Sequence, residues 1–135
     1  MRKIVLFRIS SKGNPKVKVD YVNKYDCLDN LLKVFAGWEF ICVADNCDDM
    51  LVANLKNKPF HLFYETNLGN PGSFWRLYEI ALKSIKDDDV LYFVEDDYWH
   101  LQDAPSAILE GLTYFEYVTA YDHLDKYQSL SGVVN

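Results

Sequence analysis

The sequence predicts an α/β fold, a single domain over residues 1–135 built on a mainly parallel sheet of about five strands with helices on both faces. Three observations carry this. Short β-favouring runs alternate with segments of helical periodicity, the order expected of a parallel sheet with crossover helices. The run Val90-Leu91-Tyr92-Phe93-Val94 is apolar at every position, as expected of a strand buried on both faces and central in such a sheet. Asp88 and Asp89 precede it and Glu95, Asp96 and Asp97 follow it, so three carboxylates fall at its carboxyl end. That edge is where open α/β sheets bind ligands.

Taken in order, Ile4 to Ile9 reads as the first strand and Ser10-Ser11-Lys12-Gly13-Asn14-Pro15 as a turn-rich loop, with neither a Walker motif nor a dinucleotide fingerprint. Asp26 is the expected N-cap of a helix in which Leu28, Leu31, Leu32 and Phe35 recur at helical spacing and which Gly37 closes. Trp38 to Ala44 reads as the second strand. It gives way to Asp45-Asn46-Cys47-Asp48-Asp49, whose last two acids cap a short helix reaching Lys56. Phe60 to Tyr64 is the third strand, and Glu65 to Ser73 is a loop of residues that permit tight turns and close backbone approach.

Ser73 then caps a helix with Phe74, Leu77, Ala81, Leu82 and Ile85 inward. Arg76 falls in its first turn, where a cation opposes the helix dipole unless an anion or carboxylate lies near. A salt bridge to a nearby acid and a ligand contact serve equally well. After the acidic triplet, Asp103 and Pro105 open a last helix with Ile108, Leu109, Leu112 and Phe115 inward. Tyr117 to Tyr121 is the fifth strand, followed by Asp122-His123 and a tail without strong pattern.

Half the residues are apolar, enough for a real core, and the net charge of −6 argues against a general binder of nucleic acid or anionic membrane. Lys12, Lys16, Lys18 and Lys24 read as a solvated loop rather than a basic patch. The apolar part of the N-terminus is too short for a signal peptide or a transmembrane segment. Cys27, Cys42 and Cys47 are odd in number and lack paired spacing, which implies neither a disulfide framework nor a zinc site and fits a reducing cytoplasm.

Adjacent acids repel, so Glu95, Asp96 and Asp97 make sense if they share a divalent cation and the phosphates it carries. The competing reading is a solvated loop or a set of helix caps. The sequence offers further elements in a definite order: Asp-Asn-Cys-Asp after the second strand, Asn-Leu-Gly leading to a helix with an Arg, and a strand ending Tyr-Phe-Val-Glu-Asp-Asp. Over residues 3–123 this order resembles the GT-A nucleotide-sugar glycosyltransferases, of Rossmann-like fold, and among them the family-two type.

The resemblance implies binding of a nucleotide-sugar donor, UDP-sugar by default, and transfer of the sugar to an unidentified acceptor. It places Arg8 and Ser10 beside the nucleoside, Asp45 at the base or ribose, and Asn67, Gly69 and Arg76 near the nucleotide. Glu95, Asp96 and Asp97 match the element that holds Mn2+ or Mg2+ against the donor diphosphate, with Asp97 as first and Glu95 as second ligand and Asp96 facing the nucleotide. The segment that carries the family's catalytic base lies beyond the end of this chain, leaving Asp122 and His123 as the candidates, against a capped strand end with a surface histidine. With most of the acceptor half lacking, three forms fit: a compact transferase completed by self-association or a partner, a non-catalytic donor-binding module, or a truncated product. Aspartyl-nucleophile phosphatases and receiver domains need acids after the first strand, where Arg8-Ile9-Ser10 stands; sugar nucleotidyltransferases need a Gly-rich basic loop, and only Gly13 is there.

Overall fold

The computed structural model describes residues 1–11 and 23–120. They belong to two compact units, Met1–Trp99 and His100–Asn135. The first runs β1 (Lys3–Ser10), α1 (Lys24–Val34), β2 (Glu39–Asp45), α2 (Asp49–Lys56), β3 (Leu62–Thr66), α3 (Gly69–Ser84) and β4 (Val90–Val94). Its four strands are all parallel, in the order β3-β2-β1-β4. The chain steps outward from β1 to β3, and α3 then carries it back to the other side of β1. The carboxyl ends of β1 and β4 therefore flank the point where strand order reverses, the place at which such sheets open a crevice.

Alternation along β1 and β2 sends apolar side chains to both faces. Ile4, Leu6, Ile41 and Val43 pack with Leu77, Ile80 and Ala81 of α3, bordered by Tyr64, Leu91 and Phe93. Residues of the other parity, Val5, Phe7, Ile9, Phe40 and Cys42, are equally buried on the opposite face. There Phe35, at the end of α1, stacks on Tyr92 and meets Trp38 edge-on, each at 5.0 Å. Each such side chain contributes roughly 1.5–3 kcal/mol by leaving water. The β1–β2 centre is thus the anchor of the unit.

Several expectations change. β4 is an edge strand rather than a central one, and four of its five residues are only half-buried, because no described residue pairs along its outer side. Among the described residues the sheet has four strands, not five: Tyr117–Ala120 form no strand and Tyr117 is 90% exposed, while Tyr121 lies outside the described residues. α1 is capped by Asn23, not Asp26. The Asn23 side chain accepts from the Asp26 N–H at 2.8 Å and donates to its carboxylate at 2.7 Å, a reciprocal cap that places the acid three residues in.

β3 starts at Leu62, later than expected; just before it, His61 is tied to β2, its N–H donating to the Phe40 carbonyl and its Nδ1, in place of a backbone group, accepting from the Phe40 N–H at 3.0 Å. α3 begins at Gly69, so Asn70 to Ser73 are helix rather than loop, and Pro71 sits in the first turn where its missing N–H costs little. Its buried stripe is Ser73, Leu77, Ile80 and Ala81, whereas Phe74 and Leu82 are 39% and 55% exposed. α2 follows expectation, with Asp48 accepting from the Leu51 N–H at 2.8 Å.

In the second unit, α4 (Ala104–Leu112) carries Asp103 at its cap position and Pro105 in its first turn, and buries Ile108. Phe115 lies past the helix end and is 67% exposed instead of inward. Among the described residues no helix is long and apolar enough to cross a membrane. All three cysteines are free, and burial pushes the Cys42 and Cys47 thiols up, so neither is poised as a nucleophile.

At the amino end of the β1–β4 pair, Asp89 accepts from the Arg2 N–H and the Lys86 N–H, each at 2.9 Å, and from the Arg2 guanidinium at 3.3–3.4 Å. These bonds, the Arg2 amide foremost, hold its carboxyl below the ordinary value of 3.8. A lowered pKa contributes stability above the unfolded-state value, and that contribution is lost as pH falls through the folded-state value. Asp89→Asn is therefore expected to lower the urea midpoint at pH 7. The gap to the wild type should close as pH drops below 3.8; a gap that persists undiminished at low pH contradicts the assignment.

Candidate functional site

The carboxyl edge of the sheet gathers charged side chains from β1, β2, the start of α1 and the exit of β4. Arg8 shares the parity of Ile4 and Leu6, so its side chain leaves β1 on the α3 face. Its Nε and Nη2 donate to the two carboxylate oxygens of Glu95 at 3.1 and 2.5 Å, a bidentate fork. Nη1 turns the other way, to the Asn70 carbonyl and to Ser73 Oγ at 3.2 Å. Phe74 lies under the guanidinium, 5.7 Å from ring centre to Cζ. Arg8 thus bridges β1, β4 and the first turn of α3.

Asp96, in the turn after β4, meets a different cation. Its Oδ2 accepts from the Ser10 N–H at 3.2 Å and pairs with Lys24 Nζ at 3.3 Å, and Lys24 also donates to the Ser10 carbonyl. Asp97 is half-buried and has no hydrogen-bond or ion-pair partner among the described residues. The three acids do not crowd round one point: Arg8 takes the first and Lys24 the second.

Asp45 is 3% exposed and accepts four hydrogen bonds, from Thr66 Oγ1 and the Leu68 N–H at 2.7 Å, the Gly69 N–H at 3.0 Å and Asn46 Nδ2 at 3.2 Å. The local cap residue of α3, Leu68, offers no side-chain bond, so a carboxylate from β2 caps this helix from a distance. Gly69, at φ +80°, and Asn46, at φ +50°, adopt the left-handed backbone that brings their groups round to it. Ser73, expected as the cap, is buried within the helix and donates to the Asn70 carbonyl at 3.1 Å.

Of the residues singled out in the sequence, Arg8 joins Glu95 in one contact, Ser10 joins Asp96 in a second, and Asp45 and Gly69 join in a third. Asn67 lies exposed on the loop between β3 and α3. Arg76 is not in the first turn of α3: it lies two turns in, exposed, and pairs with Glu79 at 3.5 Å. Asp122 and His123 fall outside the described residues. Lys24, expected in a solvated loop, is instead the first residue of α1 and pairs with Asp96. The signal was the one applied to Arg76, since Lys24 opens a helix whose dipole opposes it, and its carboxylate is Asp96.

Among the described residues no group of three or more His, Cys, Asp and Glu forms a metal cage. A magnesium-like ion needs fewer, taking one or two carboxylates and filling its shell with water and phosphate oxygens. Asp97 fits that role, and so does the second oxygen of Asp96, whose bonds among described residues all go to Oδ2. Glu95 fits less well than expected, because both its oxygens are held by Arg8.

No family model matches the chain, and searches of curated proteins and of solved structures return no match.

Because the donors around Asp45 are left unpaired without it, Asp45→Ala should destabilise the protein by about 2–4 kcal/mol, the scale of a buried charged acceptor and a helix cap together. Urea unfolding measures this, and a loss under about 0.5 kcal/mol, the scale of an ordinary surface change, contradicts it.

Proposed function

We propose that the chain binds a nucleoside-diphosphate sugar with a divalent cation, Mg2+ or Mn2+, at the carboxyl edge of the sheet, and transfers the sugar to an acceptor hydroxyl. The family resemblance favours a UDP-sugar. One observation carries the reading: two cation–carboxylate pairs, Arg8 with Glu95 beside α3 and Lys24 with Asp96 beside α1, stand at the carboxyl end of β1, where β1 and β4 part at the reversal of strand order. A diphosphate and its metal need both kinds of charge at one mouth.

On this reading Asp97 and one oxygen of Asp96 hold the cation, in place of the Asp97 and Glu95 pair implied by the family pattern. When bound, that ion stabilises the charge that develops on the departing diphosphate. Arg8 and Lys24 face the phosphates. Asp45 acts through shape, fixing the loop that carries Asn67 and Gly69, rather than as a contact to the base. Asp122 and His123 remain the candidates for accepting the acceptor's proton. A second reading, a donor-binding module without transfer, is favoured by the commitment of Glu95 to Arg8, which leaves a smaller carboxylate set than the family pattern implies.

UDP with manganese should raise the melting temperature, by an amount equivalent to about 2.7 kcal/mol at a hundredfold excess over Kd. Asp97→Ala should remove the manganese-dependent part and leave the shift given by UDP alone. No shift with any nucleoside diphosphate, with or without metal, contradicts donor binding. Release of sugar to an acceptor or to water separates a transferase from a binding module.

A further inference from the structure

We infer that Lys24 is a diphosphate-binding residue held ready by Asp96 as an internal counter-ion, so that anion and divalent cation compete with the resting ion pair but assist each other. This rests on the proposed nucleotide-sugar site and deepens it. The Lys24 side chain is 21% exposed and that of Asp96 17%, so each charge is largely withdrawn from water. Their separation of 3.3 Å, with the Ser10 N–H on the same carboxylate oxygen and the Ser10 carbonyl on Nζ, closes a ring at the end of β1.

Breaking such a pair by removing one partner leaves the other charge uncompensated in a poorly solvated place. A phosphate that draws Lys24 away leaves Asp96 in that condition, and a metal ion that draws Asp96 away does the same to Lys24. Arriving together, each compensates the group the other strands. The fork between Arg8 and Glu95 is a second cation–carboxylate pair near the same end of β1. The coupling is reciprocal by thermodynamic necessity.

The role predicts effects of opposite sign from one substitution. In Lys24→Met, inorganic pyrophosphate binds about tenfold more weakly, the loss of one charge-assisted hydrogen bond. Free Mn2+ binds several-fold more tightly, because Asp96 has lost its competitor. Lys24→Arg keeps the charge and restores pyrophosphate affinity. The full chain is titrated with pyrophosphate by calorimetry and with Mn2+ by the resonance signal of the free ion, and UDP with Mn2+ is titrated into the wild type alongside.

Both affinities falling together would mark Lys24 as a structural strut and overturn the inference. Pyrophosphate affinity unchanged within about twofold, or no pyrophosphate binding by the wild type, overturns it as well. If the wild type binds pyrophosphate with the Lys24 dependence but not UDP, the nucleotide reading fails and the role of Lys24 stands.

Discussion

The bidentate pair between Arg8 and Glu95 is the contact on which the working edge of this protein depends. β1 and β4 are 87 residues apart in sequence and run side by side, and an arginine meets a carboxylate across that separation at each end, Arg2 with Asp89 and Arg8 with Glu95. At the amino end the Arg2 guanidinium also reaches Glu39 of β2 at 3.6 Å. At the carboxyl end the Arg8 guanidinium also reaches the Asn70 carbonyl and Ser73, so it sets where α3 begins relative to the mouth of the sheet. Both clips flank an unbroken apolar stretch in β1, which leaves the charged groups no place but the ends.

Separate partners explain how the adjacent acids Glu95 and Asp96 are tolerated. Glu95 emerges on the α3 face and finds Arg8, while Asp96 emerges on the α1 face and finds Lys24, which opens α1. The turn that follows β4 thus leaves neighbouring carboxylates on different cations, which reduces their mutual repulsion. Asp45, on the next strand but one, is spent on a third task, supplying the negative end that the first turn of α3 lacks.

Much of the fold was legible because it depends on local pattern. The apolar runs of β1 and β2, the spacing of Leu28 and Leu31 and the cap at Asp48 declare themselves within a few residues. The errors came where distant groups decide. β4 reads as central by composition, and only the strand order makes it an edge. Ser73 reads as a cap by type, and only Asp45, far off in sequence, lets α3 start at Gly69. In the site, the acids at the strand's end marked Glu95 and Asp96, and the family resemblance marked Arg8 and Ser10, but no sequence pattern shows that Glu95 is taken by Arg8 or that Lys24 folds back on Ser10.

A double-mutant cycle on unfolding free energy, with Arg8→Met, Glu95→Gln and the pair together, tests directly whether this contact organises the edge. Glu95 is 39% exposed at its side chain and Arg8 only 13%, so screening trims the pair without abolishing it. The account predicts a coupling of about 1–2 kcal/mol, above the 0.2–1 kcal/mol of an exposed pair. Additive effects, with coupling near zero, would contradict it.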